Sequence, residues 1–260
     1  MNGSPVGEPS LILAIDFGTQ SVRSLAYDRG GRCRAKHQLP ISNYQHPESG
    51  WTEHDVEGFW TLLSESCQGL WAQGVDPADI AAVVVTTQRA TVINLDELGQ
   101  PLRPAIIWTD QRRAPPRGRL PWLWRMLFTL LRIRPIVENL EAETEVNWLE
   151  RHQPDLLART GHFLLLSGYL NYRLTGAFAD SVGSQVGYLP FDFKKQDWCA
   201  DSDWKWHSMA IKRYMLPALV AVGDTLGVVA DDAAKSTGLP QGVPVIAGAA
   251  DKACEVLGVG

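Results

Sequence analysis

The chain opens on a short apolar run followed by a segment that alternates between apolar and polar, both of strand length. Residues 11–15 form a short apolar run ending at Asp16, Phe17-Gly18-Thr19 reads as a turn, and residues 22–27 alternate as a second strand. Asp28-Arg29-Gly30-Gly31 supplies a further turn before a third strand at residues 34–39, so the pattern predicts an antiparallel meander. The period then lengthens. Residues 56–73 carry apolar positions at helical spacing behind Asp55, which reads as an N-cap. Residues 80–86 are a β-branched run of the buried kind, and residues 92–96 and 105–108 give two more strands around the turn Glu97-Leu98-Gly99-Gln100-Pro101.

From residue 120 to about 174 the pattern is helical, interrupted at Pro154 and closed by Thr175-Gly176, with residues 163–174 as its last helix. Residues 180–203 read as loop and short strand, 209–214 as helix, 227–230 as strand and 231–237 as a short helix. A strand at residues 244–248 follows, after which Asp251 opens a helix to residue 257. The order predicts an α/β domain with a mixed central sheet flanked by helices. Residues 1–10 read as a disordered tail.

Charge and cysteine content narrow the function. A net charge of −5 over 260 residues speaks against nucleic acid or an anionic membrane as the main partner. Basic residues gather between Arg112 and Arg134, but Glu138, Glu141, Glu143 and Glu145 follow, and the stretch reads as a solvated surface of mixed charge. The most apolar window, residues 120–131, is interrupted by Arg125 and falls short of the roughly 20 residues a membrane span needs. Residues 1–10 lack the build of a signal peptide, so no membrane partner is expected. The apolar positions Trp122, Trp124, Met126 and Phe128 read as a core-facing helix, with a homodimer contact as their other use. Cys33, Cys67, Cys199 and Cys254 stand far apart, which predicts reduced thiols and a cytoplasmic setting. No histidine pair has metal-ligand spacing.

Four segments carry residues suited to chemistry. Asp16-Phe17-Gly18-Thr19-Gln20-Ser21 sets a carboxylate at a strand end before a glycine turn with free N–H groups and hydroxyls, which suits phosphate and Mg²⁺ and equally suits a plain hairpin. Thr86-Thr87-Gln88-Arg89-Ala90-Thr91 and Trp108-Thr109-Asp110-Gln111-Arg112-Arg113 each follow a strand, where α/β sheets bind ligands. An indole at 108 with Asp110 and Gln88 nearby would hold a polyhydroxy ligand by its C–H face and its hydroxyls, while the plain reading makes Trp108 core and Arg112-Arg113 a solvated pair. In Ile246-Ala247-Gly248-Ala249-Ala250-Asp251-Lys252, an Asp at a strand top flanked by small residues could accept a hydroxyl proton or simply cap a helix. Neither a P-loop nor a dinucleotide fingerprint is present.

Taken in order and spacing, these segments resemble the FGGY family of carbohydrate kinases, over nearly the whole chain from Leu11 to Gly260. Framing segments add to the likeness: Gly50-Trp51-Thr52-Glu53-His54-Asp55, Tyr169-Leu170-Asn171-Tyr172-Arg173-Leu174-Thr175-Gly176 and Gly238-Leu239-Pro240-Gln241-Gly242-Val243-Pro244-Val245. The resemblance implies a ribonuclease H-like fold of the actin, hexokinase and Hsp70 superfamily, and ATP-dependent phosphorylation of a sugar or polyol. It implies that Asp16 orients Mg²⁺–ATP, that Gly18, Thr19, Gln20 and Ser21 form the phosphate hairpin, and that Gln88, Arg89, Trp108 and Asp110 line the acceptor pocket. Asp251 would be the general base.

Departures from the family pattern bear on the substrate. Glycerol kinases carry Gln-Arg-Glu-Thr where this chain has Gln88-Arg89-Ala90-Thr91, xylulokinases typically show Met-His-Gly there, and Lys252 stands where Asn or Gln is common. The resemblance also implies a second, ATP-binding domain beyond residues 11–260, without which the chain is expected to be inactive. A polyol-binding module without catalysis and an ATPase acting on a protein are the rival readings.

Overall fold

The computed structural model describes residues 9–254. The opening meander forms as expected: β1 (Leu11–Phe17), β2 (Ser21–Tyr27) and β3 (Cys33–Pro40) pair antiparallel in sequence order. A short strand β4 (Glu53–His54) leads into α1 (Val56–Trp71), which Asp55 caps by accepting the Gly58 N–H at 3.0 Å. Val56, Phe59, Trp60, Leu63, Cys67 and Leu70 recur at steps of three and four, and this stripe is buried in the core beneath the sheet. Phe59 meets Phe17 edge-on with ring centroids 5.5 Å apart.

β5 (Ile80–Thr87) pairs parallel to β1 in a register that sets Asp16 beside Thr86 and Phe17 beside Thr87. Near the other end of the chain β14 (Pro244–Ile246) pairs parallel to β5, and β13 (Thr225–Val228) closes that edge antiparallel. The order β13-β14-β5-β1-β2-β3 is a mixed sheet in which three parallel strands end side by side. Its core also holds α6 (Leu166–Thr175), stopped by Gly176 at φ 77°, and α8 (Asp231–Thr237).

A second sheet has the order β4-β7-β6-β8, with β6 (Val92–Leu95), β7 (Ala105–Ile106) and β8 (His162–Leu165). Between β7 and β8 come α2 (Trp122–Leu130), α3 (Arg134–Glu143), α4 (Glu145–His152) and α5 (Pro154–Arg159). β9 (Ala179–Ser181) pairs parallel with β12 (Ala218–Val220); β10 (Phe191–Asp192), β11 (Asp197–Trp198) and α7 (Lys205–Ser208) lie between them. This half has its own core, built around Ile106, Trp148, Phe163, Phe191 and Met209.

The structure corrects several sequence expectations. Residues 163–165 belong to β8, not to a helix: Phe163, Leu164 and Leu165 are all buried, a run that strand and helix share, and pairing with β6 decides for strand. Residues 209–214 are not helical. Asn147 accepts from Ala210 N–H and donates to Ser208 C=O, each at 2.8 Å, which holds the start of the stretch extended, and its end is a single 3₁₀ turn, Arg213–Met215. The α2 face is not core-facing, since Trp122 and Met126 are exposed and only Phe128 is buried. Arg112 is not solvated but buried. The four cysteines are free thiols, with burial pushing Cys67 up to about 12. Most of the expected tail, residues 1–8, and the end of the expected last helix, residues 255–257, lie outside the described residues.

Candidate active site

The three parallel strand ends carry the first group of candidates. Asp16, next to last in β1, accepts a hydrogen bond on Oδ2 from Arg23 Nη1 at 2.8 Å. The turn after it is closed by Gly18 N–H donating to Ser21 C=O at 3.1 Å. The Thr19 carbonyl accepts from the Tyr44 hydroxyl at 2.6 Å and its hydroxyl accepts from Trp108 Nε1 at 2.9 Å. Gln20 is exposed and its carbonyl accepts from Ile41 N–H at 2.9 Å. Ser21 is engaged elsewhere: it is buried, and its hydroxyl accepts from Gln38 Nε2 on β3 at 3.0 Å.

At the end of β5, Gln88 N–H donates to Phe17 C=O at 2.8 Å and extends the ladder by one residue. The Gln88 side chain is buried beside the Tyr44 hydroxyl, and neither its amide nitrogen nor its oxygen makes a hydrogen bond of good geometry. Buried polar atoms without partners carry a desolvation cost, so their presence in a cleft wall marks groups free for a ligand. Arg89 is exposed, and Ala90 sits at φ 59°.

Beyond β14 the chain passes close under β5. A Cβ on Gly248 would stand 2.7 Å from the Val85 carbonyl oxygen, so only glycine fits. The loop is clamped from both sides. Thr86 Oγ1 donates to Ala249 C=O at 2.7 Å, Ser181 Oγ donates to Gly248 C=O, and Ala250 N–H donates to Gly183 C=O at 3.1 Å. Asp251 follows at the start of a helical turn, where its Oδ1 accepts from Lys252 N–H at 2.7 Å.

Thr19, Gln88, Arg89, Trp108, Asp251 and Lys252, with Ala90 and Tyr188, line a single cleft of about 280 Å³. All four sequence segments contribute to it. Trp108 is 51% exposed, so its ring is a wall of the cleft and not core. Asp16, Gly18 and Gln20 belong to the hairpin beside this cleft and do not line it.

Asp110 is placed differently. Its Oδ1 accepts from Arg112 N and Nε, each at 2.8 Å, and its Oδ2 accepts from Thr52 N–H at 2.6 Å and Arg112 Nη2 at 2.8 Å. Arg112 in turn donates to Glu53 at 2.7 Å and lies between Trp51 and Trp148, 4.1 and 4.7 Å from their ring centroids. Arg103 also pairs with Glu53. Asp110 borders a neighbouring cleft of about 480 Å³ with Trp108, Glu145 and Tyr188.

Sequence reasoning missed three residues near the site. Tyr188 joins the two clefts and carries no local signal. Glu145 was grouped with an acidic surface run, yet burial pushes its carboxyl up to about 7. The four-residue step from Val137 to Glu141, both buried, was the available sign that this run is not all solvated. Asp180 is buried beneath the clamp, where burial pushes it up to about 6 against hydrogen bonds from Ser167, Ser181 N–H, Gln185 and Asn171.

With this geometry in hand, the sequence profile described as FGGY family of carbohydrate kinases, N-terminal domain, matches residues 11–258. The chain belongs to this family. It is 29% identical over 258 residues to the xylulose kinase of Escherichia coli K12, covering 96% of this chain and 50% of that one. The fold superposes on the xylulose kinase of Rhodospirillum rubrum with a TM-score of 0.79 at 24% identity, covering 96% of this chain and 52% of the other. For the Plasmodium falciparum glycerol kinase crystallised with ADP the TM-score is 0.74 at 20% identity, covering 96% and 50%. The fold is therefore the actin, hexokinase and Hsp70-like α/β fold of these kinases. The chain spans about half the length of the curated relatives it matches.

Proposed function

We propose that this chain forms the acceptor-binding half of an ATP-dependent sugar or polyol kinase, with Asp251 as general base. The observation that carries the reading is the cleft itself, where the Asp251 carboxylate shares one wall system with the half-exposed Trp108 ring and the buried, poorly satisfied amide of Gln88. An indole face suits the C–H surface of a sugar, the Gln88 amide suits two of its hydroxyls, and a carboxylate at the mouth suits removal of the third hydroxyl's proton. Arg89 adds a positive charge to the same wall.

The Gly18–Thr19–Gln20 hairpin would meet the phosphate chain of ATP. Asp16 has one carboxylate oxygen bonded to Arg23 and the other without a partner among the described residues. No cluster of three or more metal-ligating side chains exists among the described residues. A single carboxylate with one open oxygen fits a Mg²⁺ carried by nucleotide phosphates and held through water, in keeping with that ion's preference for few protein ligands. The metal would supply charge neutralisation of the phosphates; Asp16 would orient it.

Ala90 removes the carboxylate that glycerol kinases present at this place, and the xylulose kinases among the relatives point to a pentulose as the first acceptor to test. Phosphoryl transfer relies on alignment and charge, so the 260-residue polypeptide on its own should bind acceptor yet turn over ATP poorly or not at all. The decisive experiment compares the longest native polypeptide with its Asp251→Asn variant on D-xylulose and a panel of polyols. The reading requires product from the former, a fall on the order of a thousandfold or more in kcat for the latter, and acceptor binding retained. Wild-type turnover in the variant overturns it.

A further inference from the structure

Helix α2 presents an apolar face to solvent at a place unrelated to the cleft. Trp122 (68% exposed), Leu123, Met126, Leu130 (79%) and Leu131 stand outward, while Phe128 is the residue that anchors the helix, packing on Trp204 with ring centroids 5.2 Å apart. The segment itself is basic: residues 117–134 hold five arginines and neither Asp nor Glu. Arg117 and Arg119 share Glu150, and Arg134 pairs with Glu138. Arg125 and Arg132 make no ion pair among the described residues. The whole-chain charge of −5 conceals this segment.

Two features select the occupant of the face. A nine-residue helix is roughly 14 Å long, and its exposed side offers on the order of a few hundred Å², well short of the ~800 Å² per partner that a stable dimer buries. Pairing two copies would also oppose their unpaired arginines. A short amphipathic helix with tryptophan on its apolar side and arginine at its borders instead matches the boundary between lipid headgroups and acyl chains, where apolar burial and attraction to anionic headgroups act together. We propose that α2 is an interfacial helix that docks the protein on an anionic lipid surface, with Trp122, Leu123, Met126 and Leu130 entering the boundary and Arg125 and Arg132 meeting headgroup phosphates. The helix lies on the membrane and does not cross it; no helix among the described residues is long and apolar enough to span.

The test is flotation of the longest native polypeptide with vesicles of phosphatidylcholine alone and of phosphatidylcholine with phosphatidylglycerol. Binding should appear with the anionic vesicles only, weaken with added salt, and shift tryptophan emission to the blue. Trp122→Ser with Leu130→Ser, and Arg125→Glu with Arg132→Glu, should each lower the bound fraction on the order of tenfold while leaving the melting temperature in place, since all four side chains are exposed. Four results overturn the proposal: no flotation with either vesicle, equal capture by neutral vesicles, a dimer in gel filtration that the same substitutions split, or protection of α2 from hydrogen exchange without vesicles. The last two would assign the face to a second copy and to the remainder of the polypeptide.

Discussion

The indole N–H of Trp108 donates to the Thr19 hydroxyl at 2.9 Å, joining two residues 89 positions apart. One belongs to the wall proposed for the acceptor and the other to the hairpin proposed for phosphate. The contact holds the ring's orientation from the hairpin side and, with the Gln88 N–H bond to the Phe17 carbonyl, links the two proposed halves of the site.

Removing that bond while keeping an aromatic ring isolates its role. Trp108→Phe should weaken acceptor binding by about tenfold or less, within the ~1 kcal/mol worth of one hydrogen bond, and change the stability of the unliganded protein by no more than roughly 0.5 kcal/mol. Calorimetric titration with the best acceptor and a denaturant melt measure the two quantities. An unchanged affinity would show that the bond does not orient the ring for binding.

Asp110 and Arg112 should behave in the opposite way. Breaking a buried, hydrogen-bonded ion pair by removing one partner costs ~3–5 kcal/mol, because the other charge is left buried. Asp110→Asn and Arg112→Met should therefore lower the denaturation midpoint strongly, whereas Trp108→Ala should spare it and abolish the acceptor-induced rise in melting temperature. Equal, small effects for all three would mean that the Glu53–Arg112–Asp110 cluster is not structural.

The clamp under Asp251 makes a third prediction. Gly248→Ala places a Cβ against the Val85 carbonyl oxygen, which is β5 backbone, and against the Val84 Cγ2 methyl, at a cost of ~1–3 kcal/mol. Because the displaced segment leads into Asp251, kcat of the longest native polypeptide should fall more than KM rises. Unchanged stability and turnover would show that the loop relaxes freely.

Stability should also depend on pH in a defined sense. Glu145 is raised from 4.5 to about 7 and Asp180 from 3.8 to about 6, both by burial. In that window the folded chain holds protons that the unfolded chain has released, so the contribution of these groups to stability falls as pH rises from about 4 to about 7. Glu145→Gln should flatten the slope and raise stability at neutral pH by on the order of 1 kcal/mol. Denaturant melts at pH 5 and pH 8 for both proteins check this; a slope unchanged in the variant would remove Glu145 as its source.

Much of this was legible in the chain, for identifiable reasons. β1 was clear because its apolar run ends at Asp16 and a glycine turn, β2 because it alternates, and α1 because its apolar positions keep helical spacing and Asp55 caps it where it should. The convergence of Thr19, Gln88, Trp108 and Asp251 was legible because each follows a strand, and the parallel register brings three of those strand ends together. Trp108 itself sits two residues past β7, on a turn closed by Asp110 N–H and the Ile107 carbonyl. What sequence could not show was which charges are buried. Arg112 and Arg113 are neighbours of one type, yet the first is enclosed between Trp51 and Trp148 and the second faces solvent, a distinction made by residues 36 and more positions away in sequence. Residues 163–165 failed because their apolar run passes into that of α6 with no turn between them, and residues 209–214 because Asn147, distant in sequence, takes the Ala210 N–H.

The chain folds around two cores, and the walls of the cleft are divided between them. The hairpin after β1, with Phe17 and Val22 in the first core, carries Thr19; Ala90 and Tyr188 rest against the second. A cleft supported in this way lets its two sides change independently. Substitutions in the second core can reshape the room around Ala90 and Tyr188, the side proposed for the acceptor, while the foundation of the hairpin proposed for phosphate stays untouched. Under the proposed function, new acceptor preferences could arise on such a scaffold without rebuilding the phosphate side.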